Sequence, residues 1–195
     1  MQVTQRRTQT DRRAATKAKL VSAARRLFAE KGYAATSTPE VVAAAGVTRG
    51  ALYHHFADKT DLFRTVVEEE HLILAMTIEA AAAGDEESGP VKALLQGGDA
   101  FLTAMQDPGR RRILLVDAPA VLGRDELDAI DARHGLRTLI EGFGTAVEAK
   151  AIRELPVEPL ARLVGAMFDR AAMADEATMP DYRKAMRALI RGLKI

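Results

Sequence analysis

The densest run of side chains able to do chemistry lies at Thr48, Arg49, Gly50, Tyr53, His54 and His55. An arginine offers paired N–H donors that match the O6 and N7 acceptors of guanine, and a tyrosine reaches a phosphate or the methyl group of thymine. A glycine beside them removes the side chain that would hold a helix away from base edges. Just upstream, Val41, Val42, Ala45, Gly46, Val47 and Leu52 supply the small and branched contacts by which one helix packs on another across a tight turn, with Gly46 free to take the positive φ the turn requires. The pattern predicts a helix-turn-helix whose second helix enters the DNA major groove. Other chemistries lack their residues. His54 and His55 are adjacent and diverge on a helix, unlike an i, i+4 chelating pair, while His71 and His134 are isolated in the sequence, so no metal is expected. The chain has no cysteine, which removes thiolate nucleophiles, disulfides, iron–sulfur clusters and Cys-based zinc sites. Paired carboxylates, Ser-His-acid patterns and phosphate-cradling glycine loops do not occur at usable spacing, so neither enzymatic activity nor a cofactor is expected.

Charge supports the same reading. The net charge is only +1, yet residues 1–60 hold 11 Lys or Arg against 4 Asp or Glu, whereas residues 61–195 hold 17 against 23. A basic head on an acidic body points to a polyanionic partner at one end, because phosphate neutralisation with counterion release dominates nucleic-acid affinity. Four arginines between Arg6 and Arg13 predict an arm, unstructured when free, that either follows the minor groove or, more simply, raises nonspecific affinity. With 195 residues, 48% of them hydrophobic, the chain suits two unequal domains with a sizeable core. No apolar run approaches the roughly 20 residues that span a bilayer, and the N-terminal stretch is polar, so the cytoplasm is expected and a membrane partner is not.

The elements that must hold the recognition helix are themselves predicted to be helices, and no strand alternation persists. Ala18, Val21, Ala24, Leu27 and Phe28 mark a helix from Ala14 to Lys31, ended by Gly32. The next begins either with Thr38 capping and Pro39 in the first turn, or with Ser37 and Glu40 as a capping box. Thr48 caps a short helix through His55. Asp58 caps a long one with an inward stripe of Leu62, Val66, Ile73, Met76 and Ala80. Beyond a loop at 84–89 come a helix over about Val91–Met105 and another started by Asp107 and Pro108 and interrupted at Asp117 and Pro119. One long helix is predicted from Asp125 to about Lys150, then a final pair, Glu158–Glu176 and Asp181–Leu193. About nine helices result. Arg110, Arg111 and Arg112 fall in a first turn, an unfavourable place for cations, so acidic partners are expected to offset them.

The run from Ala45 to Phe56 (AGVTRGALYHHF), with Lys59 and Leu62 after it and Ala24, Leu27, Phe28, Gly32-Tyr33 and Thr36-Ser37 before it, resembles the N-terminal domain of TetR-family, tetracycline-repressor-like transcriptional regulators over residues 17–63. Pro39 departs from the polar or charged residue usual there and Val42 from the usual alanine. Leu115 to Gly123 is similar to a segment found in one branch of the family's C-terminal domains. The resemblance implies that Arg49, Gly50, Tyr53 and His55 face the groove and phosphates, with Thr38 and Lys59 holding the DNA backbone. It implies an all-α chain: an arm (1–13), a three-helix DNA-binding domain (14–60) and a larger effector-binding and dimerisation domain (61–195). The expected function is a repressor that binds a palindromic operator in double-stranded DNA as a homodimer and is released by a small-molecule effector. Met76, Phe101, Met105, Phe143, Met167 and Phe168 are candidates for the effector pocket, since methionine and aromatic side chains adapt to varied apolar ligands. Leu160, Leu163, Met167, Ala171, Tyr182, Met186, Leu189 and Leu193 are candidates for the dimer interface, a four-helix bundle of the final helices. Two alternatives remain on the residues alone: a helical ligand-binding or enzymatic protein with a vestigial basic head, and an architectural DNA binder without effector control.

Overall fold

The computed structural model describes residues 9–83 and 89–195. Arg6 and Arg7 of the expected arm and residues 84–88 of the expected loop lie outside the described residues. Among the described residues the fold is all-α, with one isolated antiparallel bridge between Ile152 and Lys194. The chain divides into two compact units, one ending at Val67 and the other starting at Glu68.

The first unit contains α1 (Gln9–Lys31), α2 (Thr38–Ala45), α3 (Arg49–His55) and the beginning of α4 (Lys59–Ala82). Helix α1 starts upstream of Ala14, so Arg12 and Arg13 are helical and not part of a free arm. Asp11 in its first turn complements the helix dipole, and alanines at 14 and 15 favour propagation. The core is built from one stripe of each helix: Leu20, Ala24, Leu27 and Phe28, then Val41, then Leu52, then Leu62, Phe63, Val66 and Val67, all buried. Phe28 meets Phe63 edge to face at 5.0 Å between ring centres, and Tyr33 lies 4.9 Å from Phe63. Of the two predicted starts for α2, the capping box forms. Ser37 Oγ accepts from the Glu40 N–H at 3.4 Å, while Glu40 Oε2 accepts from the Ser37 N–H at 2.9 Å. The Ser37 hydroxyl and Lys31 add to this, and together these donors hold the Glu40 carboxyl well below the usual range. Gly46, at φ 64°, closes α2 in the left-handed conformation and turns the chain into α3.

The second unit contains the rest of α4, α5 (Pro90–Ala104), α6 (Pro108–Arg111), a π-helical turn (Arg112–Asp117), α7 (Ala118–Leu122), α8 (Arg124–Arg133), α9 (Gly135–Glu148), α10 (Val157–Ala172) and α11 (Met179–Arg191). Three sequence expectations fail in this unit. The inward stripe of α4 keeps Leu62 and Val66 but then runs through Val67, Glu70, Leu74 and Ala75, leaving Ile73, Met76 and Ala80 exposed. The misreading has a cause: Glu70 occupies an inward position, its carboxylate accepting from Arg110 Nε at 2.6 Å, so a paired acid sits where the pattern sought an apolar residue. Secondly, Pro119 does not interrupt the helix. It has no N–H for the Leu115 carbonyl, and the chain widens instead into a π turn in which the Ala118 N–H reaches Ile113 five residues back. Thirdly, the helix predicted over 125–150 is two, broken at His134 (φ −126°, ψ −92°). The break packs the Asp131 carboxylate so tightly against Gly135 that a Cβ there would lie 2.7 Å from Oδ1.

Candidate nucleic-acid interface and ligand cavity

Helix α3 is pinned from within and left open outside. Leu52 is fully buried, whereas Arg49, Gly50, Tyr53 and His54 are exposed. Thr48 fixes the start of the helix, its Oγ1 accepting from the Ala51 N–H at 3.2 Å. A Cβ on Gly50 would meet only Thr48 Oγ1, at 4.0 Å, so no internal crowding calls for glycine there. The structure brings Thr38 of α2 to this surface: the Thr38 side chain and then Arg49 lower the Tyr53 pKa, and the Arg49 guanidinium lies 5.5 Å from the Tyr53 ring centre. His55 is half-buried. Burial, then the charges of His54, Arg13 and Lys17, lower its pKa below the usual histidine value. Arg13 and Lys17 therefore belong to the electropositive surroundings of α3. Sequence reasoning missed them as a pair, although their i, i+4 spacing on α1 puts them on one face.

Lys59 also has partners within the protein. Its ammonium donates to the Tyr33 carbonyl at 2.9 Å and the Thr36 carbonyl at 3.0 Å and sits 4.0 Å from the Tyr33 ring centre. It ties the start of α4 to the loop before α2, with two of its three N–H donors engaged by the protein.

The second unit holds a partly open cavity of about 1030 Å³. Phe101, Met105 and Phe168 line it, as their residue types suggested. Met76 and Met167 instead face outward, and Phe143 is buried in packing away from the wall. Sequence reasoning missed the polar part of the wall: His71 of α4, Asp131 of α8 and Asp169 of α10. His71 and His134, far apart in sequence, stack with ring centres 6.4 Å apart, and His134 Nε2 is 2.6 Å from Glu68 Oε1. Among the described residues no group of His, Asp and Glu is arranged to hold a metal, and no helix is long and apolar enough to cross a membrane.

Of the residues predicted for a dimer interface, Leu163, Met167 and Leu189 are exposed and Leu160, Tyr182 and Leu193 are half-buried. Ala171 and Met186 are buried in their own chain, because the inner faces of α10 and α11 use them for packing.

Residues 20–66 match the family model for bacterial regulatory proteins of the tetR family, and residues 91–194 match that for tetracyclin repressor-like C-terminal domains. The transposon Tn10 TetC protein of Escherichia coli is 30% identical over 135 residues, which is 69% of this chain and 64% of that protein. The HTH-type transcriptional regulator AcrR of Shigella flexneri is 49% identical over 53 residues, 27% of this chain and 25% of that protein. The matches thus span less than two thirds of either relative. The crystal structure of a TetR-family transcriptional regulator from Pectobacterium atrosepticum superposes with a TM-score of 0.79 and 30% identity, covering 97% of this chain and 98% of that one. With a helix-turn-helix inside the first matched segment and a helical, cavity-bearing unit around the second, the chain belongs to the TetR family of bacterial regulatory proteins.

Proposed function

We propose that this protein is a DNA-binding transcriptional repressor that holds a palindromic operator as a homodimer and releases it when a small molecule fills the cavity. One observation carries the reading: α3 is anchored by Leu52 while Arg49, Gly50 and Tyr53 form an outer face left exposed among the described residues. A helix about 10–12 Å across fits a major groove roughly 12 Å wide. Arg49 then reads a guanine, the neighbouring Thr38 and Tyr53 side chains meet the DNA backbone or a thymine methyl, and the absent side chain of Gly50 permits close approach. Arg13 and Lys17 add positive charge around the same helix.

Two α3 helices are needed to read a two-fold site, and Leu163, Met167 and Leu189 on the last two long helices supply the apolar contact that would join two copies. Half-site centres would then lie about one helical turn or a small multiple apart, roughly 34–36 Å per turn. Helix α4 provides the route for control, since it contributes Phe63 to the first unit's core and His71, Leu74 and Ile78 to the cavity wall. A ligand that shifts α4 moves the elements that hold α3, with a coupling of about 1–3 kcal/mol. Footprinting on the DNA that flanks the gene tests the proposal. A protected two-fold symmetric sequence, released by members of a compound library, is the expected result; uniform protection, or none, contradicts it.

A further inference from the structure

The cavity wall narrows the chemistry of the ligand. Asp131 and Asp169 approach the cavity from different helices, next to His71 and to Phe101 and Phe168, whose rings meet edge to face with centres 5.6 Å apart. Burial and the charge of Asp131 push the Asp169 pKa up to about 6, with no hydrogen bond or cation among the described residues acting to lower it. The Asp131 side chain is 45% accessible and lines the cavity, and its pKa is raised by burial and by the charge of Asp128. Its hydrogen bond from the Leu136 backbone and the charge of Arg162 only partly offset that burial. His71 Nδ1 is 3.9 Å from Asp131 Oδ1, but burial lowers the imidazole pKa to about 4, so the ring stays neutral; its Nε2 is buried with no hydrogen-bond partner.

Two arginines of the wall have further partners: Arg162, whose charge also acts on Asp131, donates to Glu158 at 2.9 Å, and Arg170 lies 5.5 Å from the Tyr182 ring centre. Arg124, at the start of α8, also lines the cavity and, like Asp169, is exposed. We propose that the cavity binds an amphiphilic organic cation, its apolar body against Phe101, Met105 and Phe168 and its protonated nitrogen donating to Asp131 and Asp169. A cation offsets the mutual repulsion of the two carboxylates and is attracted to aromatic faces, whereas a carboxylate ligand would add a third negative charge. The inference rests on the cavity being the ligand site of the proposed function.

The test titrates the full chain at neutral pH, by calorimetry, with three probes that share one apolar body: phenylbutylamine, phenylbutanol and phenylbutyrate. The amine should bind at least about tenfold more tightly than the alcohol, and the carboxylate most weakly. Asp169→Asn and Asp131→Asn should each weaken the amine about tenfold while leaving the alcohol within about twofold, which also shows that the variants are folded. An amine that binds no better than the alcohol, or not at all at millimolar concentration, overturns the proposal. So does a carboxylate that binds as well as the amine, or an amine indifferent to both substitutions. A parallel measurement of DNA retention separates the two readings: an amine that binds through both aspartates while DNA stays bound upholds the ligand class and refutes effector control.

Discussion

In the proposed function Arg49 is the base-reading residue, and its guanidinium lies 5.5 Å from the Tyr53 ring centre. Arg49→Ala should cost about 1–3 kcal/mol at the preferred sequence and relax base preference there, measured by fluorescence anisotropy on matched and singly substituted duplexes. Equal weakening on every duplex would make Arg49 a phosphate contact. Lys59 calls for the opposite experiment. Its donors already serve the Tyr33 and Thr36 carbonyls, so Lys59→Met should lower stability by about 1–3 kcal/mol in urea unfolding, by leaving partly buried carbonyls without partners. A variant of unchanged stability whose DNA affinity loses about one unit of salt dependence would restore the phosphate role. At this scale the exposed face of α3 was legible in the sequence, since its residue types and turn glycine are local signals. Asp131 and Asp169 were not. An acid that opens onto a cavity and one that faces bulk water look alike along the chain, and the helices that bring these two together are separated by the whole of α9.

Among the elements, the first unit follows local rules closely. The capping box at Ser37 and Glu40, the left-handed Gly46 and the Thr48 cap are short-range devices, and each sets a helix boundary where the sequence puts it. The second unit departs wherever a distant partner overrides the local pattern. Glu70 is 4% accessible and pairs with Arg110, which is 14% accessible and lies forty residues further along the chain; that pair turns a different face of α4 inward. Glu70→Gln should therefore destabilise the chain by about 3–5 kcal/mol, because it leaves the Arg110 charge buried against a neutral side chain. Chemical denaturation measures this directly, and a loss below about 1 kcal/mol would mean that the pair behaves as a surface ion pair. Pro119 and His134 make the same point through the backbone. A missing N–H was absorbed as a π turn where a break was expected, and a break appeared within a continuous amphipathic pattern.

For the molecule as a whole, the charge asymmetry and the helical content were readable from composition and periodicity, whereas the cavity and the outward faces of α10 and α11 emerge only from packing. Leu163 is 67% exposed and Leu189 is 52% exposed, more than a buried core needs and suited to a symmetric contact. Leu163→Arg and Leu189→Arg should each turn dimers into monomers in sedimentation velocity without lowering helical content; dimers that persist would move the interface to another face. Sequence-specific reading of duplex DNA by α3 is the central claim, and selection of the intact protein against a randomised duplex pool measures it most directly. Enrichment of a two-fold symmetric sequence, its half-site centres a helical turn or a small multiple apart, and loss of that enrichment in Arg49→Ala are the results expected. A pool that stays unbiased after selection by folded protein would contradict the account.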